Sequence, residues 1–358
     1  MTEYSAGIPE RTIGIDLGDQ HSHFFVVDGA GEEVESGRVV TSQAGMKKFQ
    51  RMERARIVIE VGTHSPWVSR LLAEWGHEVV VANARQVQLI SKNDRKSDRV
   101  DPELLARLGR VDVELLRPLR HRGPQGQADL AVLRSRDALV QSRSGLINHV
   151  RGSVKAWGAR IPKGAAESFH KRVMHIPQEL QPALLPVMET IRQLTQQIGQ
   201  YDREVERMGA EKYPETARLR QVAGVGPLTS LAYVLTLEDP HRFRKGRTVG
   251  RYLGLTPRQS DSGDQAPQLR ISKAGDRMLR RLLVGSGQYI LGPFGPDCDL
   301  RRWGLQRFEL GGKNAKRRAV VAVARKLAVL LHRLWVSGEP YDAFRNHSSP
   351  EPVVQAVA

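Results

Sequence analysis

The short apolar run RIVIEVG, Arg56 to Gly62, constrains the fold more than any other feature, because it contains one acid, Glu60. Its length and composition are typical of a buried strand. A carboxylate in such a strand is costly unless it is paired, hydrogen-bonded or bound to a metal ion. The run therefore predicts a layered α/β domain in which one strand carries an acid that needs a partner.

The residues around this run predict further strands and helices. Four other segments have the pattern of strands: RTIGIDLG, HFFVVD, EEVESGRVV and HEVVVAN. Amphipathic patterns predict helices in SQAGMKKFQRMERA and SPWVSRLLAEWG. The resulting order of three strands, helix, strand, helix, strand and helix predicts an α/β domain with a mixed sheet over residues 1–124.

The rest of the chain predicts mostly helical structure. Residues 125–212 carry apolar side chains at helical spacing, which indicates two long helices. A coiled coil that pairs protomers is favoured for them over a self-standing bundle. Residues 213–345 form a third region, in which GVGP resembles a helix-hairpin-helix turn that binds phosphate; a plain helix-turn-helix connection is the alternative. The tail, 346–358, is expected to be disordered.

The charge of the chain points to a polyanionic partner. Lys and Arg number 55 against 39 Asp and Glu, which gives a net charge of +16 over 358 residues. Nucleic acid is the first partner to consider, because it neutralises such an excess. The single cysteine, Cys298, excludes a disulfide framework. No apolar run is long enough to span a membrane, and no signal peptide is visible, so we expect a cytoplasmic protein.

Three further acids are candidate metal ligands together with Glu60. Asp16 ends the apolar alternation of TIGID, and Asp98 and Asp101 lie three residues apart in RKSDRVDPELLARL. Either Asp98 and Asp101 lie on one face of a single helix, or a helix begins at Pro102 with Asp101 as its N-cap. Four carboxylates can hold two Mg²⁺ or Mn²⁺ ions for phosphodiester chemistry. Taken singly, Asp98 and Asp101 also suit caps or solvated surface positions.

The order of strands and acids resembles the RuvC/RNase H nuclease fold. The fuller resemblance is to the IS-one-ten group of insertion-sequence transposases, which are DEDD-type recombinases guided by a bridge RNA. It covers about residues 11 to 344 and is carried by these segments: TIGIDLG, IVIEVGTHSP, NDRKSDRVDPELLARL, VAGVGPLTS, GLTPRQSDSGD, RISKAGDRMLRRLL and KLAVLLHRLWVSGEPYDA. The chain departs from the pattern at Val61 and Pro102, where the family usually has small residues.

The resemblance implies a mechanism and a set of partners. Ser262, five residues after Pro257 and directly before Gly263, would be the nucleophile that forms a covalent phosphoserine with DNA. Asp16, Glu60, Asp98 and Asp101 would bind Mg²⁺ or Mn²⁺. The implied partners are double-stranded donor and target DNA, a structured non-coding guide RNA, and further protomers in a dimer or tetramer. On composition alone, Ser260 and Ser262 are ordinary loop residues, and Ser260 is the alternative nucleophile.

Basic side chains near both sets of residues are candidates for phosphate contacts. They are Lys92, Lys96, Arg258, Arg270, Lys273, Arg277, Arg280 and Arg281. A solvated basic face is the alternative for each of them.

The sequence also allows two other functions. A RuvC-like endonuclease would hydrolyse DNA with the four acids and would survive loss of Ser262. A nucleic-acid-binding protein with structural acids would bind DNA without cutting it. The embedded position of Glu60 favours an enzyme, because without a metal ion that acid needs another partner.

Overall fold

The computed structural model describes residues 9–83, 100–258, 269–312 and 314–345. The chain forms two compact units that divide between Gly123 and Pro124. The first unit is an α/β domain and the second is helical. This agrees with the α/β fold predicted for the first part of the chain and the mostly helical structure predicted for the rest. Among the described residues, no helix is long and apolar enough to cross a membrane.

The first unit is built on a mixed sheet. Its described strands are β1 (Arg11–Asp16), β2 (His21–Asp28), β3 (Glu33–Val40), β4 (Arg56–Glu60) and β5 (Glu78–Ala82). They lie in the order β3-β2-β1-β4-β5. The first three strands are antiparallel neighbours, whereas β1, β4 and β5 run parallel. The predicted mixed sheet and the predicted order of elements are confirmed.

Helices cover both faces of this sheet, as its apolar strands require. Helices α1 (Gln43–Gln50) and α2 (Ser65–Glu74) pack on the face that contains Ile13, Ile15, Ile57 and Ile59. Helix α3 (Val100–Val111) and the 3₁₀ turn Val113–Leu116 pack on the opposite face, against Val58 and Val80. Each face therefore has its own apolar core.

Helix α3 decides between the two predictions for Asp101. Both Asp101 and Pro102 lie within the helix, so the alternative in which the helix begins at Pro102 with Asp101 as its N-cap is wrong. Proline is tolerated in a first helical turn, because the N–H group that it lacks would have no acceptor there. Asp98 lies outside the described residues.

The second unit begins with the two predicted long helices, α4 (Pro124–Ala156) and α5 (Gln181–Glu211). They run antiparallel along each other, since Arg136 bonds Asp202 and Arg143 bonds Thr195. At the far end of this pair, an apolar cluster that includes Ile147, Val150, Phe169 and Leu184 joins them to the connecting segment. The prediction that these helices also pair protomers stays a prediction.

Shorter helices complete this unit. They are α6 (Glu215–Leu219), α7 (Pro227–Leu237), α8 (Arg247–Tyr252), α9 (Arg277–Leu291), α10 (Asp299–Glu309) and α11 (Ala315–Ser337). Helix α7 is the centre of the core: all its residues from Thr229 to Leu237 are buried, and the Tyr233 hydroxyl donates to the Ala328 carbonyl at 2.6 Å. The GVGP turn joins α6 to α7, with Gly224 at a φ of 81°. Phosphate binding by this turn stays a prediction, and so does the disorder of residues 346–358, which lie outside the described residues.

Candidate active site

Asp16 and Glu60 end two neighbouring parallel strands. The register of β1 on β4 pairs Gly14 with Val58 and Ile15 with Ile59. One step further along, Asp16 and Glu60 occupy equivalent positions, and both are half-buried. Residues that are paired across a sheet project from the same face, so the two carboxylates share one face at the carboxyl edge of the sheet.

Helix α3 covers that same face. Gly14, two residues before Asp16, lies against the helix, where a Cβ atom would come within 1.9 Å of the Pro102 carbonyl oxygen. Val58, two residues before Glu60, lies against Gly109, where a Cβ atom would come within 2.3 Å of a Val58 methyl carbon. Since alternate residues of a strand share a face, the first turn of α3 lies beside the end of β1 that carries Asp16.

Asp101 is the acid that α3 brings to this edge. It precedes Pro102 in the first turn, and its Oδ1 atom is buried and accepts no hydrogen bond from any residue that the structure describes. A buried carboxylate oxygen without a donor is unfavourable unless something else, such as a cation, occupies the space beside it. Oxygen donors of this kind suit Mg²⁺ or Mn²⁺, so the acids fit a hard divalent ion.

These acids do not form a closed cage. Within the described ranges, no three carboxylate, imidazole or thiol groups lie close enough together to hold a metal ion. The fourth predicted ligand, Asp98, lies outside those ranges, as do Lys92 and Lys96. Asp16 and Glu60 therefore end neighbouring strands, Asp101 lies in the first turn of the helix on the same face, and metal binding by these acids stays a prediction.

A buried ion pair ties α3 to the sheet beneath it. Arg56 begins β4 and is 3% exposed. Its guanidinium donates to Glu78 on β5, with Nε–Oε2 at 3.1 Å, and from Nη1 to the Gly109 carbonyl at 3.0 Å. One side chain thus links two strands of the parallel part of the sheet to the helix that carries Asp101.

Sequence reasoning missed a histidine that follows the Glu60 strand. His64 precedes α2, and its Nε2 atom lies 3.4 Å from Asp19 Oδ1 in the loop after β1. The Trp67 indole donates to His64 Nδ1 at 3.1 Å, so in the neutral ring the proton is held on Nε2. The motif GTHSPW directly after Glu60 was the available signal. Its polar residues sit in a loop at the same edge as the acids.

The predicted nucleophile belongs to the second unit. Ser260 and Ser262 lie outside the described residues, but the segments on either side of them are held together. Pro257 forms a β-bridge with Ile271, Arg258 N–H donates to the Arg270 carbonyl at 3.0 Å, and Ser272 N–H donates to the Thr256 carbonyl at 2.9 Å. The described segments 254–258 and 270–273 are thus paired with each other, and they are called the hairpin arms below.

The predicted phosphate-binding residues around the hairpin arms have different surroundings. Arg280 donates to the carbonyls of Leu253 and Ala274, at 3.1 and 2.7 Å, and burial lowers its pKa. Arg281 is ion-paired with Asp137. The other four are exposed: Arg258, Arg270, Lys273 and Arg277. Arg280 therefore supports the hairpin arms, while the four exposed cations are accessible to a ligand.

Comparison with known proteins matches both units to one group. A family model described as "Transposase", for the DEDD transposases of the IS110 family, matches residues 13–157. A second model, described as "Transposase IS116/IS110/IS902 family", matches residues 216–290. The first model includes Asp16, Glu60 and Asp101, and the second includes the hairpin arms.

Full-length relatives show the same likeness. The chain is 27% identical, over 340 residues, to the transposase for insertion sequence element IS1111A of Coxiella burnetii, with 92% of this chain and 91% of the relative covered. It is 29% identical, over 289 residues, to the transposase for insertion sequence element IS1328 of Yersinia enterocolitica, with 76% and 81% covered.

These matches define a transposase, an enzyme that acts on DNA. A transposase domain of the DEDD type indicates that the enzyme uses a divalent metal ion. With both of the family's domains present in order, the chain belongs to the IS110 family of transposases, the IS-one-ten group that its sequence resembles.

Proposed function

We propose that this transposase cuts and rejoins DNA through a covalent link between Ser262 and a DNA phosphate. The Ser262 hydroxyl attacks the scissile phosphorus and forms an Oγ–P bond, the P–O ester bond to one DNA strand breaks, and the released strand leaves with a hydroxyl group. A hydroxyl of the recipient strand then attacks the same phosphorus, and serine is released. Each step exchanges one ester for another, so no ATP is consumed.

The acids of the first unit would serve this reaction by holding divalent metal. Asp16, Glu60, Asp98 and Asp101 are the proposed ligands. A bound Mg²⁺ or Mn²⁺ supplies charge stabilisation at the scissile phosphate and lowers the pKa of an oxygen bound to it. The observation that carries this proposal is the buried Oδ1 of Asp101, which accepts no hydrogen bond from any described residue and belongs to the helix that covers the sheet face of Asp16 and Glu60.

The structural support for the proposed nucleophile comes from the hairpin arms, which flank Ser262 in the sequence. Two backbone hydrogen bonds join the arms, and a third, from Lys273 N–H to the Gly254 carbonyl at 3.1 Å, fixes their base. Gly254 has a φ of 67° and no room for a Cβ beside Ala274, which fixes the chain path at the start of the first arm. Backbone hydrogen bonds thus hold the residues on both sides of the serine segment, as a functional segment requires of the elements that support it.

A trapped intermediate tests the nucleophile. Ser262→Ala should abolish a protein–DNA adduct that survives denaturing electrophoresis, and Ser260→Ala should retain it. If only the Ser260 variant loses the adduct, Ser260 is the nucleophile. If Ser262→Ala still cuts DNA in a reaction that needs Mg²⁺ and Asp16, the enzyme is instead a RuvC-like endonuclease without a serine intermediate.

We also propose that a structured non-coding RNA guides the enzyme and that the long helices α4 and α5 assemble protomers. The net charge of +16 supports a polyanionic partner, and the length of the antiparallel pair supports a projecting contact surface. Sequencing of copurified nucleic acid should recover one discrete transcript. Light scattering of the nucleic-acid complex should give a dimer or tetramer, and a monomer would contradict the assembly proposal.

A further inference from the structure

The second unit contains a large cleft next to the hairpin arms. It has a volume of about 1730 Å³ and lies among α8, α10, α11 and the hairpin arms. Pro257 and Ile271, the bridged pair that flanks residues 259–268, form part of its wall. The cleft therefore begins where the segment with Ser260 and Ser262 leaves the described fold.

The lining of this cleft is strongly basic. Ten of its lining residues are Lys or Arg and two are Asp. In the part of the chain that the structure describes, the exposed side chains of Arg247, Arg317 and Arg325 take part in no ion pair. Partial burial and the nearby Arg307 lower the pKa of Lys326. Cations gathered in this way repel one another, and that repulsion is relieved when an anion binds.

Contacts with neighbouring groups restrain three of these cations. Two of them lie over the ring of Trp303 on α10, with Lys326 Nζ at 4.0 Å and the Arg307 guanidinium carbon at 5.2 Å from its centroid. Arg325 lies across the backbone of Gly250, where a Cβ atom would come within 3.1 Å of Arg325 Cγ. Side chains that are already ordered lose less conformational entropy when they bind a ligand.

We propose that this cleft binds the phosphate backbone of duplex DNA beside the hairpin arms. Several fixed cations along one groove suit a ligand with regularly spaced anions, and a single small anion would leave most of them without a partner. The hairpin arms form part of its wall, so DNA in the cleft would contact the described residues that flank the serine segment in the sequence. The choice of DNA over RNA rests on the proposed function of Ser262.

A charge-matched comparison tests the cleft. One variant combines Arg317→Ala, Arg325→Ala and Lys326→Ala, and its control combines Lys47→Ala, Arg51→Ala and Arg54→Ala. The control residues are exposed on α1 and directly after it, and both variants lose three positive charges. Full-length protein with Ser262→Ala in EDTA keeps the measurement independent of cutting. Fluorescence anisotropy follows a mixed-sequence DNA duplex and, separately, an RNA duplex of equal length over a salt series.

The cleft variant should bind the DNA duplex about 10- to 100-fold more weakly than its control, with a salt slope smaller by about 2.7 if three phosphate contacts are lost. Equal weakening in both triple variants would overturn the proposal, because charge alone would then explain it. Weakening for RNA only would also overturn it. Failure of the adduct test with a normal result here would reject the serine mechanism and leave DNA binding by the cleft intact.

Discussion

The backbone of Gly14 lies directly against the backbone of Pro102, so that a Cβ atom at residue 14 would be 1.9 Å from the Pro102 carbonyl oxygen. This contact lets the first turn of α3 approach β1 at backbone distance. Asp16 follows two residues after Gly14, and Asp101 immediately precedes Pro102. The contact therefore brings the helix turn that contains Asp101 next to the strand that ends at Asp16, 85 positions earlier in the chain.

Replacing that glycine should displace the helix. Gly14→Ala places a methyl group against a carbonyl oxygen that is fixed by its helix, so the free energy of unfolding should fall by about 3 kcal/mol, the upper part of the usual overpacking range. Urea titration checks the stability, and DNA cutting at a temperature where the variant is folded checks the site. Gly62→Ala is the control, since its added methyl meets no atom within 4 Å. Equal stability of the two variants would refute the tight contact.

Metal binding should be measurable without any DNA. Excess Mn²⁺ should raise the melting temperature of the wild type, because a ligand that binds only the folded state stabilises it by about 2.7 kcal/mol at a hundredfold excess over Kd. Asp16→Asn and Asp101→Asn should lose this increment, since an amide is a poorer ligand for a hard cation. Asp19→Asn is the control, an acid in the loop after β1 whose side chain is 97% exposed. If Mn²⁺ raises the melting temperature of all three variants equally, Asp16 and Asp101 are not metal ligands.

The sequence predicted the mixed sheet because the strands depend on local pattern: alternating and continuous apolar runs define them. Asp16 was expected at the end of a strand, and β1 does end there. Glu60 was expected inside a buried strand, but β4 ends at Glu60 and the residue is half-buried, because the loop 61–64 follows directly. The role of these acids as metal ligands stays a prediction.

Packing between distant segments was not visible. Gly14 and Gly109 look like ordinary strand and helix glycines, yet each permits a close approach to a residue far away in the chain. In the sequence, Arg56 has the position of an ordinary polar residue at the start of a strand. In the structure it is 3% exposed and forms an ion pair with Glu78. Such pairings depend on which helix covers which face, and the residues of one segment do not carry that information.

Loss of Arg56 should destabilise the first unit strongly. Arg56→Met leaves Glu78 and the Gly109 carbonyl without their shared donor, which should cost about 3–5 kcal/mol in the free energy of unfolding. Arg56→Lys should restore only part of it, because an ammonium group lacks the planar fork that bonds both partners. Arg11→Met is the matched control: its ion pair with Glu53 is exposed and should contribute at most about 1 kcal/mol. A cost as small as that of the control would show that the buried pair contributes little.

Acid sensitivity of the second unit should depend on Asp129, at the start of α4. This carboxylate is 4% exposed and accepts from Tyr213 at 2.7 Å, Gln125 at 3.0 Å and Lys212 at 3.1 Å. Burial alone would raise its pKa, but the three hydrogen bonds outweigh burial, and the pKa lies below its ordinary value of 3.8. The stabilisation is therefore present above pH 3.8 and is lost as the pH falls through the lower pKa of the folded state.

Removal of one donor should move that loss to higher pH. Tyr213→Phe takes away the shortest of the three hydrogen bonds, so the pKa of Asp129 should rise and the fall in stability should begin nearer neutrality. Urea midpoints measured between about pH 6 and pH 2 follow this change. Tyr201→Phe on α5 is the control, because the Tyr201 hydroxyl makes no hydrogen bond to Asp129. Asp129→Asn should remove this contribution to the pH dependence altogether, and a wild-type acid profile in that variant would show that other carboxylates control the transition.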